Sequence, residues 1–227
     1  MKAVSLQEMY RSANENTAAI WGQNAGTGER REGNYYDPTK LALAAGIQPS
    51  LSFSVTHLIC ELHKLAQDDP LADILPAQAF HFTFLPVTLP LYNLNDPLPA
   101  KVGELINIWA EYQAKNIVIS HLRLVALPSQ LLLAGIPDNA AIAMRQSFCE
   151  KVLGSQWKNE LLMRHTRSPL PAPFWHGTLL RYSAAFLPEI LRQFFYQRQT
   201  IDFGNAAGEL TLAKVNYNWT TCYPLKN

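Results

Sequence analysis

Two of the six histidines stand in the same short frame, an apolar residue followed by His-x-Thr and then a second apolar residue. The strings are Phe80-His81-Phe82-Thr83-Phe84 and Trp175-His176-Gly177-Thr178-Leu179. Six histidines in a chain of this composition yield on the order of 0.1 such strings by chance, so two is an excess. On a strand, residues i and i+2 point to the same side. His81 and Thr83 therefore share one face, opposite Phe80, Phe82 and Phe84. The same parity groups His176, Thr178 and Tyr182 and turns Arg181 the other way unless the strand bulges. An aromatic face of this kind must be covered, which leaves the His/Thr face to line something polar.

Residues of these types suit displacement at phosphorus. In-line attack needs a base on the incoming oxygen and an acid on the leaving oxygen, on opposite sides of the phosphate. Imidazole, with its ordinary pKa near 6.5, serves in either role near neutrality. A threonine hydroxyl can donate to a non-bridging oxygen as charge builds there. Paired histidines can also hold a metal, but neither string contains the Asp, Glu or Cys that would complete a ligand set. Taken singly, each histidine reads as a structural one capped by a hydroxyl; the matched frames favour catalysis.

The elements that must carry these strings follow from periodicity. Residues 50–55 alternate polar and apolar as a half-buried strand does. Val55, Leu58, Ile59, Leu62 and Leu65 recur at helical spacing, and Asp68-Asp69-Pro70 ends that helix. A strand over 80–85 stops at Pro86, and Val102, Leu105, Ile106, Trp109 and Tyr112 mark an amphipathic helix. A hairpin over 117–127 and 131–134, a helix over 139–153, the second histidine strand over 174–182, a helix over 186–195 and a strand over 209–219 complete the order. This is an α+β chain in two similar halves, each a sheet with a helix over one face. Residues 1–48 read as an N-terminal arm, partly irregular, with a short helix around 9–21; residues 49–227 read as one bilobed domain. Gly22, Gly26 and Gly28 mimic a phosphate loop, but no strand precedes them and no Gly-Lys-Ser/Thr follows.

Composition narrows the classes. The 227 residues carry a formal net charge of +1, so bulk charge makes no case for long RNA or a membrane surface. Three cysteines without a C-x-x-C pair exclude a disulfide framework and a cysteine-built zinc site. The chain reads as cytoplasmic, with no leader and no membrane span. No Gly-x-Ser-x-Gly elbow is present. His57 and His63 fall on the polar face of the first helix, His121 reads as structural, and His165 lies in the basic loop Arg164-His165-Thr166-Arg167.

The two His-x-Thr strings, their separation and the strand–helix order resemble the two-histidine (2H) phosphoesterase superfamily, which includes 2′-5′ RNA ligase-like proteins and cyclic phosphodiesterases. The resemblance spans roughly residues 50–220. It implies a bilobed fold with two antiparallel-type sheets facing a central cleft and helices outside. It implies a metal-independent phosphoesterase, without cofactor, acting on a nucleotide or RNA-end 2′,3′-cyclic phosphate or 2′-5′ linkage. His81 and His176 inherit the acid and base roles, in an order left open, and Thr83 and Thr178 the phosphate contacts. Tyr182 is expected as a substrate wall, by parity. The expected partner is a small nucleotide or RNA end, with no membrane and no obligatory protein. The alternative is a non-catalytic module holding the same ligand in the same cleft.

Overall fold

A computed structural model describes residues 5–33 and 36–225 of the chain. These residues form six α-helices and nine strands: α1 Leu6–Gly22, β1 Ala42–Ile47, α2 Phe53–Ala66, β2 Ala72–Ile74, β3 Phe82–Pro86, α3 Val102–Trp109, β4 Asn116–Leu127, β5 Gln130–Pro137, α4 Asn139–Leu153, α5 Lys158–Arg164, β6 His176–Tyr182, α6 Glu189–Arg198, β7 Ala206–Glu209, β8 Thr211–Val215 and β9 Cys222–Pro224. They make two antiparallel sheets, ordered β3-β1-β8-β9 and β2-β6-β5-β4-β7. One His-x-Thr string lies at the start of β3 in the first sheet, the other on β6 in the second. The fold is α+β and bilobed.

The largest core cluster contains the faces turned away from the histidines. Phe80, Phe82 and Phe84 are all buried in it, with Trp175 and Leu179 from the other string. Phe84 meets Trp175 edge to face, with ring centroids 5.9 Å apart, so the apolar sides of the two strings join directly. Between the strings the backbones almost touch. A Cβ on Gly177 would lie 2.5 Å from the His81 carbonyl oxygen, closer than any side chain allows.

Several sequence expectations are corrected. Residues 50–55 form no strand. Ser52 is instead the N-cap of α2, its hydroxyl accepting from the Val55 N–H at 3.3 Å, and Phe53 is 86% exposed. The alternation there came from a cap followed by a helix face. The stretch 1–48, read as an N-terminal arm, holds a helix over residues 6–22 and a strand of the first sheet over residues 42–47. Its helix α1 begins in a capping box of Ser5 and Glu8 and buries Tyr10, Thr17 and Trp21 at helical spacing. Its strand β1 sits between β3 and β8, buried almost throughout. A strand covered on both faces shows no alternation, and its alanines carry little β signal. The expected strand over 209–219 divides into the end of β7 and β8.

Helix α1 also closes an open sheet edge. β7 pairs with residues 116–119 of β4, and Leu122 exchanges backbone bonds with Phe203 and Gly204, so that side of β4 lacks a strand partner only from about Leu124 onward. There the Ala126 N–H donates to Asn14 Oδ1 at 2.8 Å, Asn14 Nδ2 donates to the Leu124 carbonyl at 3.3 Å, and Thr17 Oγ1 donates to the Ala126 carbonyl at 2.9 Å. Side chains of a helix stand in for the missing strand. The far end of α1 is held by Arg192 of α6, only 3% exposed. Its guanidinium donates to the carbonyls of Trp21, Asn24 and Gly26, and to Leu187, at 2.7–3.0 Å. Of these, only the Trp21 carbonyl belongs to the last turn of α1, where it also accepts from the Asn24 N–H at 3.1 Å; those of Asn24 and Gly26 lie in the loop that follows.

Replacing Arg192 removes a donor from four carbonyls, of which those of Leu187 and Trp21 are buried, without supplying new ones. Arg192→Met is expected to lower stability by about 2–3 kcal/mol, measured from the urea midpoint at unchanged m-value. A midpoint equal to the parent's would show that this clamp contributes nothing.

Candidate active site

His81 immediately precedes β3 and is 5% exposed. Its Nδ1–H donates to the Ala79 carbonyl at 3.0 Å, which fixes the tautomer and leaves Nε2 with the lone pair. The ring stacks on Trp219, with centroids 5.0 Å apart and planes 15° from parallel. Trp219 itself holds a left-handed backbone, φ 57°, in a turn closed by its N–H donating to the Asn216 carbonyl. His81 is therefore gripped both in plane and from one face.

His176 opens β6 and is held differently. Its Nδ1 is buried and has no hydrogen-bond partner among the described residues. What fixes it is the backbone one residue earlier. The Trp175 N–H donates to Tyr10 Oη at 3.1 Å, and the Tyr10 hydroxyl donates to the Gly135 carbonyl at 2.9 Å. Arg145 of α4 adds long bonds of 3.4 Å to the carbonyls of Pro173 and Phe174. The ring rests edge-on against Phe174.

Both imidazoles open into one cleft of about 270 Å³, together with Thr83 and Thr178. Four of the five residues singled out in the sequence are thus brought together. Tyr182 is not among them. Pairing of β5 with β6 runs Leu132↔Thr178 and then Leu131↔Leu180, so Leu179 is an extra residue in β6, a β-bulge. Beyond the bulge the parity reverses. Tyr182 turns into the core and donates its hydroxyl to Asp69 Oδ2 at 2.8 Å. Arg181 takes the cleft face instead. β3 carries the matching irregularity: Gly46 pairs with Thr83 and Ala45 with Leu85, which passes over Phe84. In each string the bulge falls on the residue after the threonine.

Arg181 becomes a central member of the site. Its Nη2 donates to Thr178 Oγ1 at 3.3 Å, and its Nη1 lies 3.7 Å from Asp73 Oδ2. Its guanidinium is 5.4 Å and 5.2 Å from the rings of Tyr36 and Tyr217, which stack on each other. Arg181 lies two residues past the string on the same expected strand, where a strict period of two assigned it to the wrong face. His165, expected in a solvated loop, is buried at the end of α5 and lines the cleft, its Nε2–H donating to the Pro86 carbonyl at 3.1 Å. His121 lies on the exposed surface against Asp202, and His57 beside Glu61.

Burial governs the electrostatics. It pushes the His81 pKa down to about 3, against the opposing Ala79 bond, with Arg181 and His176 lowering it further. His176 is pushed down to about 4 by burial, then by Arg181 and Arg145. Both rings are neutral at pH 7 in the free protein. Among the described residues no group of three His, Cys, Asp or Glu side chains is placed to hold a metal ion, and no helix is long and apolar enough to cross a membrane.

No family model matches the sequence, and no curated protein matches it. Solved structures do. E. coli LigT complexed with 3′-AMP matches with TM-score 0.52 and 15% identity over 82% of this chain and 96% of that one. TT0787 of Thermus thermophilus matches with TM-score 0.53 and 13% identity, covering 82% and 95% of the two chains. A structure described as a phosphoesterase matches with TM-score 0.50 and 16% identity, over 82% and 96%. At these identities the likeness is one of fold.

The depressed histidines predict an acid limb in stability. The unfolded chain binds protons at both imidazoles near pH 6.5, whereas the folded chain holds them neutral down to about pH 3–4. Stability is therefore complete above about pH 7 and falls as pH drops toward 4, by up to ~1.4 kcal/mol per pH unit for each titrating histidine. Urea denaturation from pH 8 to 4 should show this limb, flattened in the double variant His81→Asn, His176→Asn. An unchanged limb in that variant assigns the acid sensitivity to other groups.

Proposed function

We propose that the chain is a 2H-type phosphoesterase that opens a nucleotide or RNA-end 2′,3′-cyclic phosphate, or cleaves a 2′-5′ linkage, without a metal ion. The observation that carries this reading is the convergence of two buried, neutral imidazoles, two threonine hydroxyls and one guanidinium on a single cleft. That inventory supplies each need of in-line displacement: a proton acceptor, a proton donor and fixed positive charge for the phosphate oxygens.

In hydrolysis, water adds through its oxygen to phosphorus and its proton passes to a neutral imidazole Nε2. The opposite imidazole, protonated, gives its proton to the leaving ribose oxygen as the P–O bond breaks. One imidazolium is gained and one lost, so the pair ends with its protons exchanged and a second proton transfer through solvent restores it. Arg181 and the hydroxyls of Thr83 and Thr178 hold the non-bridging oxygens, where negative charge accumulates. His81, with Nδ1–H committed to Ala79, is ready to accept at Nε2; which ring starts protonated depends on how the substrate lies. The active form carries a single proton over the pair, and a bound phosphate anion favours that proton by direct Coulomb attraction.

Two further observations support this reading over a pure binding module. Both rings are intact and buried, although a module that only binds needs no proton donor. The cleft also lies at the small end of ligand pockets, which suits a mononucleotide or a chain end. The shared fold with a LigT structure that holds 3′-AMP agrees with a nucleotide as the ligand.

Turnover of 2′,3′-cyclic mononucleotides and 2′-5′ dinucleotides is expected to persist in EDTA. His81→Ala and His176→Ala should each lose about 10²–10⁴-fold in kcat. Because the free protein gives up the second proton well below pH 6.5, kcat/KM should peak on the acid side of neutrality and fall toward pH 9. Binding without any product, or a flat profile from pH 5 to 9, overturns the catalytic reading.

A further inference from the structure

The cleft is lopsided in charge. Arg145, Arg164 and Arg181 line it alongside three imidazoles, and among the described residues no aspartate or glutamate does. The whole chain is balanced, with 19 Lys and Arg against 18 Asp and Glu. A phosphodiester brings one negative charge, and Arg181 with the two threonines suffices to receive it. Arg145 and Arg164 remain.

Arg145 is the more telling of the two. It is 7% exposed, yet among the described residues it forms no ion pair. Its two hydrogen bonds, both 3.4 Å, go to neutral carbonyls and lie at the long end of the useful range. Its guanidinium sits 3.8 Å from the centroid of the Trp175 ring, which accepts cation density but carries no charge. Burial pushes its pKa down to about 10. A buried cation without an anion is costly to keep, and an incoming anion relieves that cost. Arg164 ends α5, half-buried, and lines the same cleft next to the anchored His165.

We propose that Arg145 and Arg164 form a second anion subsite beside His176, so that the natural substrate carries a second phosphate besides the ester that reacts. A nucleoside 2′,3′-cyclic phosphate bearing a 5′-phosphate is the simplest such molecule, and an RNA fragment or dinucleotide presents the same pair of anions. The assignment rests on the phosphoesterase reading for the position of the reacting ester. The subsite's own contribution is the affinity for the second phosphate.

Binding separates the two ideas. Titration calorimetry compares adenosine 3′-monophosphate with adenosine 3′,5′-bisphosphate, neither of which holds a cyclic ester. The bisphosphate is expected to bind at least tenfold more tightly, with the advantage shrinking as salt rises. Arg164→Ala, at a half-exposed position where folding is not at stake, should reduce that advantage below threefold, and Arg164→Lys should keep part of it. Equal affinities in the parent, no binding of either nucleotide, or an advantage that survives Arg164→Ala overturns the subsite. Turnover of 2′,3′-cyclic AMP is followed separately. Turnover without a bisphosphate advantage removes the subsite alone, whereas an advantage without turnover removes the catalytic reading and leaves the subsite standing.

Discussion

The approach of two backbones at Gly177 is the constraint on which the site depends. Each His-x-Thr string belongs to a different sheet, and the sheets have no strand in common. They meet where Gly177 leaves no room for a Cβ against the His81 carbonyl. Any side chain there would press the strands apart, and with them the two imidazoles. The contact is stabilised from behind by the aromatic faces, Phe80 and Phe84 on one side and Trp175 on the other, which form part of a common core. The polar cleft is thus the front of a joint whose back is apolar. Hydrophobic burial supplies the force that draws the sheets together, and a missing methyl group sets how near they come.

The same logic accounts for the N-terminal segment. α1 covers the uncovered side of β4 and delivers Tyr10 to the backbone at Trp175, next to His176. Among the described residues nothing hydrogen-bonds His176 Nδ1 to orient it, so its position is inherited from the strand. Tyr10 from one side and Arg145 from the other fix the start of that strand. The burial that makes this clamp firm also pushes the Tyr10 phenol up to about 12, so it stays a neutral hydroxyl able to donate and accept at once. Further on, Tyr36 reaches the cleft rim beside Arg181 and Tyr217. Helix and cleft rim both come from residues that carry no catalytic signature.

What was legible in the sequence, and what was not, divides along physical lines. The paired strings were legible because a period of two repeats a residue type that is scarce, and the helix expected over 139–153 is α4, which Asp138 caps in the structure. β1 was not: buried on both sides, Ala42–Ile47 has neither alternation nor β-branched density until its last residue. Ser50–Val55 misled because a capping serine and the first helical turn imitate alternation for a few positions. Tyr182 and Arg181 exchanged places for a subtler reason. A bulge adds one residue and reverses every face beyond it, and no residue type at Leu179 announces that. The bulges follow each threonine, so the histidine and threonine faces were read correctly and everything downstream was reversed.

Charge connects the joint to its chemistry. The cleft holds its histidines neutral and buries Arg145, which has no anionic partner among the described residues. Low dielectric makes each of these groups costly alone and strongly responsive to an anion. On the proposed phosphoesterase reading, an entering phosphate gives Arg181 a partner closer than Asp73 and lets one imidazole keep a proton that burial otherwise removes. On that reading the ligand switches the pair from two bases into a base and an acid. Burial of the histidines then makes proton uptake depend on the anion and ties acid–base chemistry to the presence of a phosphate.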